Sequence, residues 1–153
     1  MAACSVYGAT LLLLYISSSL YHTLQGEAKA VLRRLDHSAI HLLIAGTYTP
    51  FSLVTLRGPL GFLLLGVVWT LAVAGILYET LAAQRRRVLA VLLYLGMGWL
   101  AVLVIGPLAR ALPAPALGLI LAGGLFYTAG IPFFALDKRL RWGHGAFHLC
   151  VLA

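Results

Sequence analysis

Apolar stretches of about twenty residues follow one another along this chain, the length a helix needs to cross roughly 30 Å of hydrocarbon. They fall at 3–24, 37–56, 60–80, 88–109 and 114–136. A sixth begins at Gly143 and reaches only Ala153, too short to span, so the sequence is expected to stop inside a helix. The expected fold is an all-α integral membrane protein, five full helices and the start of another in one domain, 1–153.

Composition closes the soluble alternative. The chain is 62% hydrophobic and 10% charged, where a soluble domain carries about 25% charge. A single core of this size would leave large apolar patches in water. The opening segment to Leu24 lacks the charged start and cleavage signal of a signal peptide, so it reads as a spanning helix. Pro59, Pro107, Pro113 and Pro115 lie near helix ends, where they cost least. Pro50 and Pro132 lie within spans, where kinks are expected.

The net charge of +7 does not indicate nucleic acid, because the basic residues stand in short clusters between apolar stretches, with no basic face or stacking platform. They fix orientation instead. Lys29, Arg33 and Arg34 occupy the first loop, Arg57 the second, Arg85, Arg86 and Arg87 the third, Arg110 the fourth, and Lys138, Arg139 and Arg141 the fifth. By the positive-inside rule the first, third and fifth loops face the cytoplasm. Cys4 and Cys150 lie far apart in apolar segments, as buried thiols do, without the tight spacing of a zinc-cysteine site.

Ionisable residues in spans are expensive, so each is a functional candidate. His22 ends the first helix, Asp36, His37 and His41 open the second, and His144 and His148 open the sixth. The charge argument puts all of them in one layer, near the cytoplasmic face. His144 and His148 share a helix face about 6 Å apart along the axis. That spacing suits a metal, and it equally suits two interfacial histidines bonded to loops. With His22 they make three nitrogen ligands, the count a catalytic zinc uses while keeping a position open for water.

Asp36 could bind the metal, or accept a hydrogen bond from its water and act as base. Ser18, one turn deeper than His22 on the same face, could bond the site or a substrate carbonyl, or bond back to its own helix. His37 and His41 compete for the ligand role, His37 with an interfacial place favoured and His41 deeper. Glu79 and Asp137 are expected to be solvated partners of basic loops. Tyr48, Tyr127, Trp69, Trp99 and Trp142 are expected to serve packing or the interface.

The ordered set SSSLYHT (17–23), LDHSAIHLLIAGTYTPF (35–51), YLGMGWLAV (94–102), GGLFYTAGIPFF (123–134) and HGAFH (144–148) resembles the haemolysin III family, of the progestin and adipoQ receptor superfamily. The resemblance implies a seven-helix bundle with a cytoplasmic N-terminus, whose first helix this chain lacks. It implies zinc held by His22, His144 and His148, with Asp36 reaching it through water and Ser18 beside it. His41 takes no role from it. The implied activity is hydrolysis of a lipid amide or ester, as in ceramidases, with membrane lipids as partners. The alternatives are a non-enzymatic homeostasis or sensor protein with structural zinc, and the cytolysis the family name suggests. The residues themselves offer no pore-lining or membrane-inserting segment.

Overall fold

In the computed structural model the described residues are 2–82, 87–136 and 142–152, with the side chains of Arg87 and His144 also outside the description. They are helical almost throughout, and no strand occurs among them. The helices are α1 (Ala2–Thr23), α2 (Ala28–Pro50), α3 (Gly58–Leu81), α4 (Arg87–Leu103), α5 (Ile105–Ala111), α6 (Ala114–Ala135) and α7 (Gly143–Leu152). Four spans are long and apolar enough to cross a membrane, and α4 with α5 makes a fifth if taken as one bent span. This is an all-α integral membrane protein. The chain divides into two compact units, Met1–Arg85 and Arg86–Ala153.

In the first unit α2 packs against both α1 and α3. Apolar burial gains little between helices in lipid, so such contacts depend on close approach and on polar bonds. Both are present. Gly46 has no side chain, and the Thr10 side chain of α1 fills the space one would take. Trp69 Nε1 of α3 donates to Thr49 Oγ1 of α2 at 3.2 Å.

The second helix begins at Ala28, well before the expected start at 37. Its first residues, Ala28, Lys29, Ala30, Leu32, Arg33 and Arg34, are strong helix formers. Their long basic side chains reach water from a helix end. Asp36 and His37 therefore sit about two turns inside the helix, not at its mouth.

The α-helical ladder of α2 ends at Pro50, but the coil does not. The ladder widens there into a π-helical stretch, Phe51–Leu56, and the Phe51 N–H donates to the Tyr48 carbonyl. The chain then reverses through Arg57 (φ 43°) and Gly58 (φ 70°), and Pro59 starts α3.

In the second unit, α4 and α5 meet at Val104 with a bend of 55°. The expected span 88–109 is therefore not straight, and Pro107 lies just past the break, where in a straight helix its ring would collide with the carbonyl of Leu103. At Pro132, by contrast, α6 runs on to Ala135. Tyr94 of α4, Phe134 of α6 and Phe147 of α7 form an aromatic core, with centroids 5.6 and 5.0 Å apart. All three are buried to 1% exposure or less. Gly98 and Gly130 admit the close approaches around them, by Tyr127 and Cys150 respectively.

Candidate functional site

Asp36 is wholly buried on α2. Thr10 against Gly46 sets α1 and α2 in antiparallel register, and two turns further along each helix Ser18 comes level with Ser38. Both serines are buried, so Ser18 lies at the depth of the Asp36 turn. His22 is one turn nearer the loop and exposed, with its ring edge-on to Tyr21 at 4.8 Å. Lys29 caps the other side of this interface, its ammonium 5.5 Å from the Tyr21 ring centre.

On the other side of α2, His37 Nδ1 lies 3.6 Å from Glu79 Oε2 of α3. Glu79 is 2% exposed. The expectation of a solvated Glu79 is thus overturned: it faces α2, not the basic loop. Its signal was in the sequence. Gly61, Leu64, Val68, Ala72, Gly75 and Glu79 are the buried residues of α3, a stripe at intervals of three and four that Glu79 continues. Asp137 lies outside the described residues.

His41, one turn deeper than His37, is fully buried with its ring against Gly75. It lies within electrostatic reach of Glu79 and His37. The interfacial place expected for His37 becomes a half-buried one at a helix seam. Cys4 is exposed on α1 and Cys150 is half-buried, so the expectation of two buried thiols fails for Cys4.

In the second unit His148 is half-buried on α7, its ring 5.7 Å from Phe147. His144 stands one turn earlier on the same helix, with its side chain outside the described residues. Of the loop cations, Arg85, Arg86, Lys138, Arg139 and Arg141 also lie outside them.

The structure sets His37 against Glu79 and, one turn deeper, His41 against Gly75 along the α2–α3 seam, and levels Ser18 with the Asp36 turn. Among the described residues no three His, Cys, Asp or Glu side chains gather to hold a metal. The donor set drawn from the sequence, His22, His144 and His148 with Asp36, comes from both units and includes the undescribed His144 side chain. Its chemistry fits zinc, which takes imidazole nitrogen and carboxylate oxygen. Two shallow apolar grooves, along α3 (430 Å³, around Phe62 and Val67) and α6 (270 Å³, around Leu125 and Phe126), touch none of these residues.

Buried ionisable groups on long apolar helices define a multi-pass membrane protein with polar chemistry inside its spans. The chain belongs to the Haemolysin-III related family, whose profile matches residues 1–153. It is 45% identical to "Hemolysin-3" of Bacillus cereus, over 99% of this chain and 69% of that protein. It is 41% identical to "Hemolysin-3 homolog" of Bacillus subtilis (strain 168), over 97% of this chain and 70% of that one. A more distant relative is the human "Monocyte to macrophage differentiation factor", 29% identical over 95% of this chain and 63% of its own length. No solved structure matches.

Proposed function

We propose that this chain is a zinc-binding membrane protein acting as a metal-dependent hydrolase of lipid amides or esters, with its site toward the cytoplasmic face. The observation that carries this reading is Asp36, fully buried about two turns inside a spanning helix. A carboxylate there is costly unless a cation or hydrogen bonds compensate it. Three imidazoles and a positioned carboxylate suit hydrolysis.

His22, His144 and His148 would hold the metal. When bound, zinc would polarise the scissile carbonyl and lower the pKa of water towards 7. Asp36 orients the attacking water and takes its proton, then returns it to the leaving group. Ser18, at the same depth on α1, donates its hydroxyl to the lipid carbonyl. Lys29, Arg33 and Arg34 set the orientation by the positive-inside rule, and the substrate enters from the bilayer.

The test is metal content by mass spectrometry on detergent-purified protein, beside a His144→Ala, His148→Ala variant. About one zinc per chain, lost in the variant, supports the site, and ceramide-like lipids are then assayed for hydrolysis. Zinc without hydrolysis favours a structural ion in a sensing or homeostasis protein. Leakage of erythrocytes without hydrolysis favours the activity that the bacterial relatives' names carry. No zinc in either protein rejects the hydrolase.

A further inference from the structure

We propose that Glu79 is a positioning residue for Asp36: from α3 it holds His37, and so fixes the rotation of α2 that aims the neighbouring carboxylate. This rests on the functional reading above only in taking Asp36 as the working carboxylate.

Trp69 of α3 bonds Thr49 of α2 deeper in the pair, and Arg34 of α2 donates to the Thr80 carbonyl at 3.4 Å. Level with the Asp36 turn, two further contacts, one turn apart on each helix, tie α2 to α3. His37 meets Glu79 at 3.6 Å, and His41 fills the space beside Gly75. Helix α2 can neither slide nor turn without breaking both. Around α2, Asp36 lies about 100° from His37 and about 80° from Gly46, the residue that faces α1. The carboxylate is therefore held between the face given to α3 and the face given to α1. A rotation of a few tens of degrees would press it into one neighbour.

The choice of residue type supports this role. Glu79 is the one charged residue of α3, whose other positions, GPLGFLLLGVVWTLAVAGILY before it and TL after it, carry no charge. Apolar burial alone gives such a helix little preference between lipid and neighbour, so its register depends on polar bonds and close approach. A buried charged contact is a device that specifies register at a cost in stability. Its place beside the Asp36 turn puts that specification where the proposed chemistry needs it.

The experiment uses the full chain with Cys4→Ser and Cys150→Ser, and reads maleimide labelling of Asp36→Cys against that of Leu43→Cys, a second buried position on α2. Glu79→Ala is expected to speed labelling at position 36 by about tenfold while leaving position 43 unchanged, the pattern of a local turn and not of global loosening. Glu79→Gln, which keeps an oxygen toward His37, is expected to restore the slow rate. Equal acceleration at both positions, or none at either, overturns the proposal. If Glu79→Ala does not yield folded protein, Gly75→Ala disturbs the same seam without removing a charge, and the same two positions are read.

Zinc binding of the otherwise unaltered chain, by titration with the metal alone, separates the two ideas. Zinc bound by the parent chain and weakened by Glu79→Ala supports both. No zinc in the parent, with position 36 still responding, rejects the hydrolase while the placement of Asp36 by Glu79 stands. Zinc bound equally well by parent and Glu79→Ala, with position 36 unmoved, rejects the positioning role alone.

Discussion

The ring of His41 occupies the space that a side chain on Gly75 would fill. Gly75→Ala must therefore push the ring, and α2 with it, away from α3. Overpacking of this kind costs about 1–3 kcal/mol. Gly66 on the same helix faces open space, so Gly66→Ala is expected to cost nothing. Thermal unfolding in detergent compares the two, and equal melting temperatures would show that the seam yields freely.

Asp36 and the histidines divide the proposed work, and substitutions should separate them. Asp36→Asn keeps the shape of the side chain but cannot take a proton, so hydrolysis is expected to fall by about 10²–10⁴-fold with zinc retained. His22→Ala or His148→Ala is expected to lose zinc and hydrolysis together. Metal content measured beside lipid turnover distinguishes the two patterns. Loss of zinc in Asp36→Asn would make the carboxylate a direct ligand and favour a structural ion.

Lys29 and Arg57 stand at opposite ends of the α2 span, and both are exposed. By the positive-inside rule the Lys29 end is expected on the cytoplasmic side. In a chain with Cys4→Ser and Cys150→Ser, Arg57→Cys is expected to react with an impermeant maleimide added to intact cells. Lys29→Cys is expected to react only after the cells are opened. The reverse result would place the Asp36 turn on the outer side and remove the cytoplasmic site.

The spans were legible because a run of apolar residues of bilayer length has few other fates. Their boundaries were less so, since helix propensity continues through charged residues that hydropathy counts as loop. This is why α2 reaches back to Ala28, carrying Asp36 inside. Glu79 was misread for a related reason. A lone carboxylate near basic residues suggests solvent, and only the buried stripe through Ala72 and Gly75 shows that it faces a neighbour. Asp36 and Ser18 could be chosen from the sequence because burial of a polar residue in a span is unusual. The exposed ring of His22 is not visible in its spacing, since exposure depends on which neighbours close over it.

Val104, at the break between α4 and α5, and Leu108, one turn past it, are both buried, and this raises the question of what bends the span by 55°. Pro107 is one answer: it lacks an N–H and its ring excludes the Leu103 carbonyl from a straight helix. Packing of Val104 and Leu108 is the other. Pro107→Ala separates them. Spin labels at Leu92 and Arg110, both exposed, would lie about 27 Å apart on a straight helix at 1.5 Å per residue, and about 24 Å apart on one bent as observed. If the proline holds the bend, Pro107→Ala lengthens the distance measured by pulsed electron resonance towards the straight value. An unchanged distance assigns the bend to packing, because the alanine can then complete the ladder and the neighbours still prevent it. Lengthening is the expected result, since a mid-span break leaves carbonyls that lipid cannot satisfy, and a helix freed of its proline would close them.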